Sequence, residues 1–398
     1  MAKKKIAFLT AGLEPGADGV GDYSRLLARA LVRQGHQCLL VALNDQWLTD
    51  SSDLTVEGDG LLGLRLPARM EWPRRIELAK ERLRTFAPDW ISLQFVAHGF
   101  QKKGILLFQN KWLARLLQTK SVHIMFHELW IGEDVDKRLK NRIIGKVQKH
   151  FVLKLATRLR PKLVHTSNHY YASRLRKGGL TAKVLPLFGN IPVLGTGADE
   201  WLFEELRAAG LDIDSRNRDS FWLFGLFGSI YPEWPGLPLF RRLRDLAEER
   251  ARKISVISIG RISPREALWD NWAGDVSRIV FLRLGAQPAE RISQFLNSID
   301  FGITTTPYVV AGKSGALTAM LEHGVPVIAS WGDILPGETP VPGDVAHLIF
   351  KADEALGERL NFWKRTVSPG SRCPQIARQF IEDLSRADST EHGSSRKN

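Results

Sequence analysis

Thr304–Ser330, TTTPYVVAGKSGALTAMLEHGVPVIAS, decides how the rest of the chain is read. Phe301–Thr306 has the composition of a strand and runs into a loop carrying Pro307 and Gly312. A helix is expected from Ser314, because Ala316, Leu317, Met320 and Leu321 recur at a spacing that buries one helical face. Gly324 stops it as a C-terminal cap would, and Val325–Ser330 is a short apolar strand. The unit is βαβ, with its loop at the carboxyl end of the first strand. Ser314 can cap the helix, and the free N–H groups of the first turn then point into the loop. Lys313 adds a fixed positive charge, and helix dipole, N–H groups and lysine together make an anion site, most often for phosphate. An ordinary capped helix with a solvated lysine would have the same sequence. The loop is not a Walker A motif, which needs a second glycine that Thr304–Ala311 lacks.

Outward from this unit, strands and helices alternate in two series. The first runs from Lys5–Leu9 through Gln37–Leu43, Trp90–Phe95, Val122–Phe126 and Leu163–Ser167 to Val184–Leu187. The second runs from Trp222–Phe227 through Ile254–Ile259, Ile279–Leu282 and Phe301–Thr306 to the opening unit. Between them, Gly195–Arg218 is polar and mostly helical. Such alternation implies an α/β fold with parallel sheets and right-handed crossovers. The 398 residues suit two domains. The expected division is residues 1–190, a linker at 191–218, a second domain at 219–370, a final helix at 371–386 and a disordered tail at 387–398.

Composition narrows the setting. Hydrophobic residues make up 44% and charged residues 25%, as in ordinary globular proteins. No apolar run reaches the roughly 18–20 residues of a membrane span, and the apolar part of MAKKKIAFLT is too short for a signal peptide. A cytoplasmic location is expected. Cys38 and Cys373 match no metal or redox spacing. The formal net charge of +13 points to a polyanionic partner: nucleic acid, an anionic membrane or a phosphorylated ligand. Charge without a recognition motif does not argue for specific nucleic-acid binding. Lys137–Lys162 is basic with no acid, and Leu139, Ile143, Val147, Phe151 and Leu155 recur every fourth residue. That describes an amphipathic helix, lying either on anionic lipid or with its apolar stripe on the core and a solvated basic back.

Three first-half loops sit where open α/β sheets bind ligands. Thr10–Val20 is glycine-rich and leads into a helix from Gly21, with Gly19, Gly21 and Asp22 at the junction. His98 and His127 each follow a strand, and Glu128 and Trp130 follow His127, a combination suited to a polar ligand such as a sugar. Either histidine could be a general base, a hydrogen-bond donor or a satisfied loop residue.

At this point the chain resembles a GT-B glycosyltransferase, most similar to the retaining family-four transferases. The resemblance is carried by ADGVGDYSRLLARALVRQGHQ, by the Phe188–Pro192 turn and by TAMLEHGVPVIAS. It implies two Rossmann-like domains, a nucleotide-sugar donor in the second, a sugar or lipid-linked acceptor at the first, and a final helix that crosses back. It further implies that Asp22 and His127 contact the transferred sugar or acceptor in a catalytic role. Gly19, Gly21, His98 and Glu128 would serve acceptor binding. Gly228, Ser229, Arg261, Lys313, Ser314, Gly315, Ala316 and Glu322 would serve donor binding. No cofactor is implied, and no metal, because backbone groups and cations would carry the phosphate charge.

The donor site departs from the family pattern. Where that pattern has Gly-Arg and then a lysine five residues on, this chain has Gly228-Ser229 and Trp234. The family's two glutamates fall on Ala311 and Ala319, or on Val310 and Thr318, depending on register. A non-catalytic GT-B-like binding subunit is therefore the competing expectation.

Overall fold

The structure, a computed structural model, describes residues 2–49, 52–57, 61–117, 121–132, 139–195, 200–231, 233–262, 266–332, 341–365 and 368–394. The chain forms two units, Met1–Leu187 with Cys373–Asn398, and Phe188–Arg372.

The first unit is built on an eight-stranded sheet. Its strands are β1 (Lys5–Thr10), β2 (Gln37–Asp45), β3 (Ser52–Glu57), β4 (Leu61–Pro67), β5 (Trp90–Phe95), β6 (Ser121–Phe126), β7 (Leu163–Thr166) and β8 (Lys183–Val184). Their order is β3-β4-β2-β1-β5-β6-β7-β8. All pairs are parallel except β3 with β4, an antiparallel hairpin at the edge. The expectation of wholly parallel sheets is corrected there: Glu57 and Leu61 pair across a connection too short for a crossover. The second unit has β9 (Phe221–Phe227), β10 (Lys253–Ile259), β11 (Ile279–Arg283), β12 (Phe301–Thr304), β13 (Val327–Ala329) and β14 (Ile349–Lys351). They run β11-β10-β9-β12-β13-β14, all parallel.

The inner strands are buried at nearly every position and mostly apolar, because helices cover both sheet faces. In β1, Ile6 to Leu9 are all fully buried. Sequence order reverses direction beside β1 in one sheet and beside β9 in the other. Those reversals open a crevice at the carboxyl ends of β1 and β5, and of β9 and β12.

Local chemistry sets the helix ends. The Asp18 carboxylate accepts from Val20 N at 3.0 Å and Gly21 N at 3.2 Å, starting the helix Gly19–Arg33. Asn168 caps His169–Lys177 through Tyr171 N at 2.8 Å. Gly324, at φ 69°, ends Gly315–Glu322. Its N–H donates to Leu321 O, and Val325 N to Met320 O, a Schellman closure that only a left-handed residue permits.

Two boundaries differ from expectation. Residues 191–218 hold the expected helix, Glu200–Ala208, but are not a mere linker: Leu202, Phe203, Leu206, Leu211 and Ile213 are buried in the second unit's core. The apolar positions of that polar stretch recur at helical spacing and pack on β9 and the helix Ala289–Ser298. The last helix runs Cys373–Ser394, so residues 387–394 are helical where a disordered tail was expected. Asp388 holds it, pairing with Lys4 at 2.7 Å and accepting from Trp90 Nε1 at 3.3 Å. The rest of the expected tail, residues 395–398, lies outside the described residues. This helix packs within the first unit, where the Phe380 ring lies tilted against Phe8 and edge-on to His123.

Candidate active site

In the second unit, the opening stretch sits as its sequence indicates. Ser314 Oγ accepts from Leu317 N at 3.2 Å, and Ser314 O accepts from Thr318 N at 3.0 Å. The amides of Gly315 and Ala316 precede these and have no acceptor within the helix. Space is open in front of Gly315. Gly228, at φ 80°, meets the same helix end: a Cβ there would lie 3.6 Å from Ala316 Cβ. Gly260 and Gly285, after β10 and β11, are also left-handed, at φ 92° and 66°. A Cβ on Gly260 would come within 3.3 Å of Gly228 N. The carboxyl ends of three neighbouring strands thus form a low crest of bare backbone before a helix N-terminus.

The loops after β9 and β12 are stitched together. Thr305 Oγ1 donates to Ser229 O at 3.3 Å and accepts from Tyr231 N at 3.0 Å. Trp331 Nε1 donates to Thr305 O at 2.8 Å. Lys313 Nζ lies 5.7 Å from the Tyr231 ring centroid, and that ring packs edge-on against Trp331. Gly228, Ser229, Lys313, Ser314, Gly315 and Ala316 therefore come together. Arg261 follows Gly260 and is exposed. Trp234 is buried against Phe240 and Trp272, with Nε1 donating to Ser330 Oγ at 2.8 Å.

Glu322 does not join this group. It lies at the other end of its helix, about 12 Å of helical rise from Ser314. Its Oε1 accepts from Arg372 N at 2.9 Å, and its carbonyl accepts from Gly370 N at 2.8 Å. A Cβ on Gly189 would lie 2.8 Å from its Oε2, so the carboxyl is wedged beside the Phe188–Pro192 turn. Burial raises its pKa to about 7. The expected donor contact is thereby replaced by a structural one.

A cavity of about 590 Å³ lies at the opposite, amino-terminal edge of this sheet, beside Arg218, Asp300 and Arg365. Two of its cations are engaged: Arg218 pairs with Asp300 at 2.8 Å, and Arg365 donates to the carbonyls of Leu296, Asn297 and Ile299. No group of His, Cys, Asp and Glu able to hold a metal occurs among the described residues. The sequence holds two Asp-x-Asp triplets where none was expected. Asp134–Asp136 lies outside the described residues. In Asp212–Asp214, Asp214 is held by Arg216 at 2.7 Å and by backbone N–H groups in a turn.

In the first unit, the carboxyl end of β2 meets the segments that follow β1 and β5. Asn44 N donates to Ala11 O, Asn44 Nδ2 donates to Gly99 O, both at 2.8 Å, and a Cβ on Gly99 would lie 2.8 Å from Ala11 Cβ. Gly21 is required by packing, since a Cβ would fall 2.7 Å from Gly12 O. Gly19 has open space around it. Asp22 is buried, pairs with Arg25 and accepts from Gly16 N at 3.1 Å. These contacts use the carboxylate to shape the loop. Gln148 Nε2 donates to His98 Nε2 at 3.3 Å and to Lys103 O at 2.7 Å. Glu128 is half-buried.

His127 is buried, with Tyr23 edge-on at 4.8 Å and Nε2 bonded to Gln94 Oε1 at 2.8 Å. Burial lowers its pKa to about 3, against the opposing pull of Glu128. Behind it lies a buried polar row that the sequence reading missed. Gln94 Nε2 donates to Ser92 Oγ at 2.7 Å, and Ser92 Oγ meets His123 Nδ1 at 2.8 Å. His123 Nε2 meets His165 Nδ1 at 3.0 Å, and His165 Nε2 meets Asp383 Oδ2 at 3.2 Å. Its signal was legible as polar residues in otherwise apolar strands, with Ser92 and Gln94 two apart and so on one face.

The basic helix runs Leu139–Leu159; Lys137 and Arg138 lie outside the described residues. Gly145, Gln148, Val152, Leu155 and Ala156 face inward. Leu139 and Ile143 are 71% and 57% exposed, so the reading that buries the whole apolar stripe is overturned for its first half.

No family model and no curated protein sequence matches the chain. Solved structures do. The catalytic domain of starch synthase IV from Arabidopsis thaliana, bound to ADP and acarbose, superposes with a TM-score of 0.61 at 15% identity, covering 98% of this chain and 100% of that one. The chain has the GT-B fold. Two further structures with the GT-B fold agree. A glycosyltransferase from Rickettsia africae gives a TM-score of 0.56 at 13% identity over 97% and 99% of the two chains. HepE from Anabaena, in complex with UDP and glucose, gives 0.54 at 14% over 98% and 99%.

Proposed function

We propose that the chain is a glycosyltransferase that moves a sugar from a nucleotide-sugar donor to a polysaccharide or lipid-linked acceptor. The observation that carries this is the meeting of Gly228 with the Ser314-capped helix end. The amides of Gly315 and Ala316, the helix dipole and Lys313 converge where a diphosphate would sit. Fixed donors aimed at a leaving diphosphate favour the transition state, where charge develops on it. Transfer with retention needs no protein nucleophile in this scheme, and the cationic site replaces a metal as counter-charge. His127 is the first-unit group assigned to the transferred sugar or acceptor.

A membrane setting is part of the proposal. Leu139, Ile143 and Val147 stand exposed among Lys140, Arg142 and Lys146, with Leu107 and Phe108 also exposed. Apolar residues ringed by cations suit an anionic lipid surface. No described helix is long and apolar enough to cross a membrane.

Calorimetry with UDP, GDP and ADP tests the donor assignment. At least one should bind, and Lys313→Ala should weaken it. Absence of binding by any nucleotide would favour the non-catalytic subunit, a reading that Ser229 and the buried Trp234 support.

A further inference from the structure

Five hydrogen bonds join His127 to Asp383 across three strands, passing through Gln94, Ser92, His123 and His165. Every member is buried. Ser92, His123 and His165 belong to β5, β6 and β7. The register pairs Ser92 with His123, and His123 with Leu163, two residues before His165, so all project from one face. The last helix covers that face and supplies Asp383.

We infer that Asp383 fixes the tautomer of His127 through this chain, leaving Nε2 protonated and Nδ1 bare. The direction follows from the one member that can only accept. Burial would raise the Asp383 carboxyl, but bonds from His165 and Lys183 outweigh it and hold it at about 2. Burial lowers all three histidines, so each carries a single ring proton. The His165–Asp383 contact is accordingly a neutral imidazole donating to a carboxylate.

His165 must place its proton on Nε2, so its Nδ1 accepts from His123 Nε2. His123 Nδ1 then accepts the Ser92 hydroxyl proton. Ser92 Oγ accepts from the Gln94 amide, and Gln94 Oε1 accepts from His127 Nε2. No proton moves in this scheme. A carboxamide cannot pass a proton without becoming an imidic acid, so Gln94 makes the chain an aligning device and not a conduit. Asp383 is a positioning residue for His127. Lys183, 3.0 Å from Asp383, and Arg386, 3.6 Å away, keep that carboxylate ionised.

The value of a bare Nδ1 to the reaction rests on the glycosyl-transfer reading, but the tautomer itself does not. The test is nitrogen NMR of the full chain labelled at histidine, with His127→Gln identifying the resonance. The native chain should show one protonated and one bare nitrogen, with the proton on Nε2. In Asp383→Asn the terminal amide can donate or accept, so the tautomer ratio at His127 should fall by about tenfold or more, as loss of a charge-assisted bond implies. Ser92→Ala breaks the chain with Asp383 intact and should shift the ratio the same way. Asp383→Glu should restore it.

A native His127 protonated on Nδ1, or an unchanged ratio in Ser92→Ala, overturns the inference. If Asp383→Asn does not fold, Ser92→Ala decides alone. Transfer assays of the native chain are read separately: inactivity there undoes the functional reading and leaves the tautomer result standing.

Discussion

Glu322 accepts from the backbone N–H of Arg372 at 2.9 Å at one end of the helix that Ser314 caps at the other. The two residues assigned to one site from sequence thus do different work. Burial raises the Glu322 carboxyl from 4.5 to about 7, so the folded state binds the proton more tightly than the unfolded chain. Its contribution is fully present below pH 4.5 and is lost as pH rises to about 7. Glu322→Gln should stabilise the second unit at pH 8 by about 1–3 kcal/mol and flatten that slope. Chemical denaturation at pH 5 and pH 8 measures both.

The buried histidines act with the opposite sign. His123, His127 and His165 are held neutral, and the unfolded chain takes up protons below about pH 6.5. First-unit stability should therefore fall as pH drops from 7 toward 4. His127, with its pKa at about 3, should show no titration by NMR between pH 5 and 8.

Lys313→Ala should cost about 1.5–3 kcal/mol of nucleotide-diphosphate affinity, the value of a charge-assisted phosphate contact. Thermal stability without nucleotide should barely change. Unchanged affinity in calorimetry would remove Lys313 from the donor site.

Gly145→Ala should destabilise the first unit by about 1–3 kcal/mol. A Cβ there would lie 1.8 Å from Ile131 O, so the basic helix must lift away from its bed. Thermal unfolding of the variant reads this directly.

Ile143→Ser should weaken pelleting with anionic vesicles and leave unfolding unchanged, because Ile143 is 57% exposed. Equal pelleting by native and variant chains would exclude that helix face as the lipid contact.

The βαβ series was legible because parallel strands must be apolar on both faces, and runs such as Cys38–Leu43 leave no alternative. The capped helix at Ser314 was legible from its glycine, cap and helical spacing. The β3–β4 hairpin was not, because edge strands alternate weakly and Gly58–Gly60 reads as loop. The helix at Glu200–Ala208 was legible as a helix, but its charges masked that Leu202, Phe203 and Leu206 pack into the second unit's core. Asp22 and Glu322 were read by residue type, and only three-dimensional placement shows Arg25 and Arg372 N beside them. The polar row from Gln94 to Asp383 spans 289 residues of sequence, and no local pattern connects its ends.

Because Cys373–Ser394 belongs to the unit that begins at Met1, the ribosome makes the first unit's closing piece last. Phe188–Arg372 emerges whole and can fold on its own schedule. Until the final helix arrives, Phe8, His123 and His165 lack their Phe380 cover, and the carboxylate that orients His127 does not yet exist. The order of synthesis thus delays the assembly of the His127 site until the last helix has been made.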